Sequence, residues 1–285
     1  MRKLLLQLDS NRLPSVFDRV VAYDGGADEV LGYGGIVAGD VRDLIYGLIF
    51  TRGPRDLANS AVFVGGADIN VGDAILTAAQ ETFFGAFRVS VMLDSNGSNT
   101  TAVAAVAKIV QAAGDLTGKR VVVTAGTGPV GARAAGLLAK QGATVVITSR
   151  RGPDGERALR AIVARFGGAV SCVQMSEPAQ AAGVLEGASV VLNCGPAGVQ
   201  MIPRAAWAAR AGLTVAVDLN AAPPLGIEGI DATDNGVTRD GVVCFGALGV
   251  GGYKMKIHKR CIARLFESSD AILDAEAIYD LSRTL

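Results

Sequence analysis

The stretch Val121-Val122-Val123-Thr124-Ala125-Gly126-Thr127-Gly128-Pro129-Val130-Gly131 decides the fold of this chain. Four β-branched residues lead into a G-x-G-x-x-G turn, and an Ala- and Leu-rich segment with helical spacing, about Val130–Gln141, leads out. That order has a physical reason. The first glycine permits a tight turn, the second lets the backbone approach a pyrophosphate, and the third lets helix and strand touch. The helix start then offers unpaired N–H groups and partial positive charge to phosphates. Gly126, Thr127, Gly128, Pro129, Val130 and Gly131 are therefore candidate dinucleotide ligands. In a chain with 37 glycines the motif alone is weak; its place between strand and helix gives it weight.

A second strand is expected at Thr144–Thr148, and its end names the nucleotide. Sites for NAD place Asp or Glu roughly 20 residues past the first glycine, where it accepts from ribose hydroxyls. Here the chain reads Thr148-Ser149-Arg150-Arg151, with no acid before Asp154. A carboxylate repels a 2′-phosphate, whereas guanidinium groups bind it with charge-assisted hydrogen bonds. The reading is NADP, with NAD as the alternative. Arg150 leads, with Ser149 and Arg151 beside it; two solvated surface arginines are the competing explanation. Two later loops follow expected strands, Asn193–Gly198 and Asp218–Pro224. Open α/β sheets bind ligands outside the carboxyl ends of their strands, so Cys194, Gly195 and Asn220 are candidates to border ribose and nicotinamide. Plain turns would look the same.

Working outward, the chain reads as α/β with two domains and C-terminal helices. In the first half Leu4–Leu8, Leu48–Phe50, Ala61–Val64 and Val89–Leu93 read as short strands. Ile69–Glu81 and Thr100–Ala113 read as helices, the second with Ser98 or Asn99 as N-cap. Gly114–Lys119 is a polar, Gly-bearing hinge. After the second strand a helix is expected near Glu156–Phe166, then strands at Val170–Val173, Val190–Asn193, Thr214–Val217 and Val242–Phe245. The expected division is residues 1–114, residues 115–255, and a helical tail of residues 256–285 that packs back toward the first domain.

Composition narrows the function. Formal charge is zero, so no global field attracts nucleic acid or an anionic membrane. No apolar run reaches the roughly 18 residues that cross a bilayer. Leu4-Leu5-Leu6 ends at Gln7 and Asp9, too early for an export segment of about 7–15 apolar residues. The four cysteines lack a C-x-x-C pair and read as buried thiols of a reducing cytoplasm. With one histidine, His258, neither a His-rich metal centre nor a His-dependent triad has material, and no metal is expected.

Three further segments are polar or basic without a motif. Asp94-Ser95-Asn96-Gly97-Ser98-Asn99-Thr100-Thr101 follows an expected strand and could hold a polar heterocycle, or simply be a loop and N-cap. Pro14–Asp18 with Tyr23–Asp28 is similarly open. Phe245–His258 brings Lys254 and Lys256 into a Gly-rich turn before a helix. Together with Val64–Asp68, Phe84–Thr101, Gly126–Gly131, Asn220–Asp234 and the run on to Ser269, these stretches carry a resemblance. The chain is similar to the NADP-dependent methylene-tetrahydromethanopterin dehydrogenases of methylotrophic bacteria, a family that includes methylene-tetrahydrofolate dehydrogenases. Met92–Thr101 and Pro223–Asp231 are its most specific parts.

The resemblance implies an N-terminal α/β pterin-binding domain, a Rossmann-type NADP-binding domain and an active cleft between them. It also implies a homo-oligomer and a role in oxidising formaldehyde-derived one-carbon units on tetrahydromethanopterin or tetrahydrofolate. Asp94 and Asn96 then rank first as substrate contacts, followed by Lys256, Tyr23, Asp24 and Asp18, with Ser95, Thr100 and Lys254 beside them. Asp94 would pair with pterin N–H groups or stabilise the developing cation, and Lys256 would orient the substrate. The chemistry suits a chain poor in acid–base groups. Oxidising the methylene carbon gives a methenyl cation spread over two nitrogens, with no hydroxyl proton to remove. Alignment and exclusion of water become the main tasks. A shikimate- or amino-acid-dehydrogenase-like enzyme is the alternative, and a non-catalytic NADP(H)-binding module a third. No motif supports a cyclohydrolase.

Overall fold

A computed structural model describes residues 1–285. The chain divides into two compact units, Met1–Thr100 with Met255–Leu285, and Thr101–Lys254. From the N-terminus run β1 (Leu4–Asp9), α1 (Val16–Asp24), β2 (Glu29–Gly34), α2 (Val41–Ile49), β3 (Ser60–Gly65), α3 (Ile69–Thr82), β4 (Ser90–Leu93) and α4 (Ser98–Ala113). Next come β5 (Arg120–Thr124), α5 (Pro129–Lys140), β6 (Thr144–Ser149), α6 (Gly152–Phe166), β7 (Val170–Gln174) and α7 (Ala181–Val184). Then follow β8 (Val190–Asn193), α8 (Arg204–Trp207), β9 (Val215–Asp218), β10 (Asn235–Arg239), β11 (Val242–Phe245), α9 (Ala247–Leu265), β12 (Ile272–Leu273) and α10 (Ala275–Ser282). The unit boundaries fall within α4 and α9, so two helices carry the chain from one unit to the other.

The first unit holds a five-stranded sheet ordered β2-β1-β3-β4-β12, parallel throughout. Its inner strands β1, β3 and β4 are nearly continuous buried runs because both faces are covered. Val62, Val64, Val91 and Leu93 pack with Ile45, Ile49, Ile75 and Ala79 from the helices. The tail joins this unit at the far edge, where Val91 N donates to Ala271 O at 2.8 Å and Ser90 Oγ to Ser268 O at 2.9 Å. The direction of strand order reverses between β1 and β3, and such a switch point opens a crevice at the carboxyl ends of the strands.

The second unit holds a seven-stranded sheet, β10-β11-β9-β8-β5-β6-β7, in which only β10 runs antiparallel. Counted from β5 in chain order, leaving aside the hairpin strand β10, this is the doubly wound order 3-2-1-4-5-6. Its switch point lies between β5 and β8. One core cluster joins Val122, Val191 and Ala216 to Trp207, Leu213 and Ile230.

Two expectations need correcting. Leu48–Phe50 is not a strand: Leu48 and Ile49 close α2, whose buried face is Val41, Ile45, Leu48 and Ile49. That spacing fits a 3.6-residue period, and three adjacent apolar residues at its end imitate a strand. The second strand of the sheet is instead β2, a glycine-bearing edge strand. Helix α6 also begins earlier than expected, at Gly152 with Pro153 in its first turn.

Candidate functional site

Strand β5 delivers the chain to a turn in which the three glycines stand for different reasons. A Cβ at Gly126 would come within 2.5 Å of Ile147 Cβ, and one at Gly131 within 2.8 Å of both Ala125 O and Gly126 Cα. Those two positions are closed by the protein itself. A Cβ at Gly128 would meet nothing nearer than Ala125 O at 3.4 Å. No protein atom forces a glycine there, so the requirement points outward, to a group approaching the backbone from solvent. Gly128 is the N-cap of α5 and Pro129 its first residue, where a missing N–H costs nothing. Ala125 is bent into the left-handed region (φ 51°), with its N–H donating to Thr148 Oγ1 at 3.1 Å.

Beside this turn lies a pocket of about 360 Å³ lined by Ala125, Thr127, Gly128, Thr148, Ser149, Arg150, Met175, Cys194, Pro196, Val199 and Met201. Thr127, Gly128, Ser149, Arg150 and Cys194 are residues named from the sequence. Pro196 falls in the Asn193–Gly198 loop already singled out, whereas Ala125, Thr148, Met175, Val199 and Met201 were not named as ligands; these residues come from four separate strand ends, and only the sheet order brings them together. The two arginines have different surroundings. Arg151 pairs with Asp154, which also binds Arg157 at 2.5 Å. The exposed Arg150 guanidinium has no ion pair or hydrogen bond and borders the pocket. Ser149 Oγ donates to Arg151 O at 2.7 Å, shaping the turn into α6.

The carboxyl ends of β5, β8 and β9 are tied by a buried polar chain. Thr124 Oγ1 donates to Asn193 Oδ1 at 2.6 Å, and Asn193 Nδ2 donates to Asp218 Oδ1 at 2.7 Å. Asp218 also accepts from Asn220 N at 3.1 Å and Ile227 N at 2.9 Å. Burial raises the Asp218 carboxyl above its ordinary range, against the pull of these donors. Burial likewise pushes the Cys194 thiol far up, with the charge of Asp218 adding to it. Both effects favour the thiol form of Cys194, which stands in the pocket wall. Gly195 N donates to Asn193 Oδ1 at 3.1 Å, so Gly195 starts a loop held to the sheet.

In the first unit the loops after β1, β3 and β4 meet at the β1/β3 switch point. Ser95 Oγ donates to Gly65 O at 3.2 Å and Asn96 N to Gly66 O at 2.6 Å. A Cβ on Gly65 would lie 3.6 Å from Oδ2 of both Asp9 and Asp18. Asp18, Ser95 and Asn96 therefore come together around Gly65 and Gly66. Asn96 is exposed and in the left-handed region (φ 56°). Asp94 is only 1% exposed, and its carboxylate accepts from Thr100 N at 3.0 Å and Thr100 Oγ1 at 2.6 Å. Tyr23 is exposed, and Asp24 pairs with Lys259 at 2.7 Å. Lys254 and Lys256, two residues apart on α9, point about 200° apart around the helix and share no face. Lys256 is exposed, one turn from Lys259.

These geometries give Asp94 a structural duty. Asp94→Ala removes two buried acceptors at the start of α4 and is expected to lower stability by roughly 2–4 kcal/mol. Urea unfolding checks this; an unchanged midpoint would mean that the Thr100 bonds contribute nothing.

A 3-2-1-4-5-6 sheet with such a first turn, and an unpaired arginine at the end of its second strand, defines a Rossmann-type dinucleotide-binding protein. The solved ligand-free 5-ketofructose reductase of Gluconobacter sp. strain CHM43 shares this fold, with TM-score 0.55 at 15% identity over 100% of this chain and 99% of that one. The family model for the N-terminal part of methylene-tetrahydromethanopterin dehydrogenase matches residues 16–96. The bifunctional protein MdtA of Methylorubrum extorquens is 48% identical over 285 residues, covering 100% of this chain and 99% of that protein. The NAD(P)-dependent methylenetetrahydromethanopterin dehydrogenase of the same organism is 33% identical over 290 residues, covering 99% and 98%. The chain belongs to the methylene-tetrahydromethanopterin dehydrogenase family, as the resemblance in its sequence implied. No helix is long and apolar enough to cross a membrane.

Proposed function

We propose that this protein catalyses reversible hydride transfer from methylene-tetrahydromethanopterin to NADP⁺, giving the methenyl product, with methylene-tetrahydrofolate as the other pterin the chemistry accommodates. The observation that carries the nucleotide half is the free Arg150 guanidinium on the same pocket as Gly128. The pterin half follows from family membership, whose relatives of 48% and 33% identity span almost the whole chain. We infer a homo-oligomer from the same resemblance.

The residues present fit the dinucleotide. The start of α5 from Gly128 to Gly131 would hold the pyrophosphate, and Arg150 with Ser149 the 2′-phosphate and ribose. When bound, the nicotinamide supplies the hydride acceptor. The chain's own part is to bind, orient and exclude water. Acid–base work is not required, which agrees with His258 being fully buried and stacked on Phe63 with ring centroids 5.5 Å apart. Asn96, Asp18, Tyr23 and Lys256 are the proposed substrate contacts, while Asp94, Ser95 and Thr100 hold the loop that presents Asn96. Asp24, held by Lys259, supports them within the same unit, and Lys254 belongs to the other unit.

Purified protein should reduce NADP⁺ when given methylene-tetrahydromethanopterin; no turnover with either pterin would remove this reading. Lys256→Ala is expected to raise KM for the pterin about tenfold, the worth of one charge-assisted contact, with KM for NADP⁺ and Tm unmoved. Unchanged pterin kinetics would mean that Lys256 is merely solvated.

A further inference from the structure

Asn220 follows the end of β9 and is 3% exposed. Its amide has two donor hydrogens and an oxygen with two lone pairs. All four are spent on backbone. Nδ2 donates to Pro196 O at 3.2 Å and to Pro224 O at 3.2 Å. Oδ1 accepts from Gly198 N at 3.3 Å and from Ala222 N at 2.9 Å. No capacity is left for a ligand, and the residue does not line the pocket.

The four partners sort into two loops. Ala222 and Pro224 belong to Asn220's own loop, and Pro196 and Gly198 to the loop after β8. That neighbouring loop contributes Pro196, Val199 and Met201 to the pocket wall. The opposite side carries Ser149, Arg150 and Met175 from the ends of β6 and β7. Since the end of the second strand reads the adenosine ribose, this pocket is the adenosine half of the dinucleotide site. The backbone of Asn220 is anchored below, through its N–H to Asp218 and on to Asn193 and Thr124.

We propose that Asn220 is a positioning residue whose saturated amide staples the loops after β8 and β9 together and thereby sets the wall against which the adenosine end of NADP packs. The inference rests on the dinucleotide reading above. It assigns an affinity effect to a residue that touches no ligand.

The test is Asn220→Ser. A serine hydroxyl can still accept from the N–H two residues on, preserving the local turn, but is too short to reach Pro196 or Gly198. The probe is 2′,5′-ADP, the phosphorylated adenosine end of NADP, titrated calorimetrically beside NADP⁺. Both dissociation constants should rise together by about tenfold, matching the loss of one or two buried hydrogen bonds, while KM for the pterin stays put. Unchanged affinity for 2′,5′-ADP in folded N220S overturns the staple. Should N220S not fold, Asn220→Asp keeps both acceptor bonds but sets an oxygen against the Pro196 and Pro224 carbonyls, parting the loops; a rise of about tenfold in both constants supports the staple and no rise overturns it. Wild-type protein that ignores 2′,5′-ADP would overturn the dinucleotide reading itself, and the staple with it.

Discussion

Arg150→Asp is expected to lower kcat/KM for NADP⁺ by about 10²–10³ while leaving that for NAD⁺ equal or higher. Hydrogen bonds to a charged group contribute about 1.5–3 kcal/mol, a factor of about 10–150, and a carboxylate facing a phosphate adds repulsion. The prediction is specific to this arginine. Arg150 borders the pocket with no competing partner, whereas Arg151 is held by Asp154. Arg151→Ala should therefore change the NADP⁺/NAD⁺ ratio by less than about threefold, the modest effect usual for an exposed charge. Arg150 is exposed, so thermal unfolding of the variant should match wild type. A nucleotide ratio unmoved by R150D would show that another group reads the 2′-phosphate.

The second large effect separates two glycines only three residues apart. Gly128→Ala should leave Tm within a degree or two of wild type yet weaken NADP⁺ binding by more than about tenfold. The new methyl has room in the protein, with Ala125 O at 3.4 Å, but occupies the space a pyrophosphate must enter. Gly131→Ala should do the reverse first. Its methyl would sit 2.8 Å from Ala125 O and Gly126 Cα, backbone atoms that cannot rotate away. Overpacking of this kind costs typically about 1–3 kcal/mol, visible as a lower Tm before any ligand is added. If G128A bound NADP⁺ normally, the phosphates would have to lie elsewhere.

The contrast also explains what could be read from sequence. Glycines and β-branched runs encode backbone demands locally, so β5, its turn, α5 and β6 were legible residue by residue. Strand β2 was not. Of Glu29–Gly34 only Val30 is buried, and Gly32 and Gly34 break any alternation. Leu48–Phe50 misled because an apolar triplet is short enough to fit a strand or the last turn of a helix.

In the candidate site, Arg150 and the Gly126–Gly131 turn could be named from sequence because each carries a chemical requirement of its own. Met175, Val199 and Met201 carry none; they matter only because β8, β5, β6 and β7 lie in that order across the sheet. Asp94 shows the opposite limit. A carboxylate at a strand end looks the same in sequence whether it faces a ligand or, as here, closes on Thr100 with 1% exposure. Asn220 was named as a cofactor contact, but its amide is spent on four backbone partners in two loops whose adjacency depends on β8 pairing with β9.

The most direct test is a crystal structure of the protein grown with NADP⁺. The pyrophosphate should lie against the N–H groups at the start of α5 beside Gly128, with the 2′-phosphate on the Arg150 guanidinium. Density for the dinucleotide at any other surface, with that turn left empty, would contradict the account.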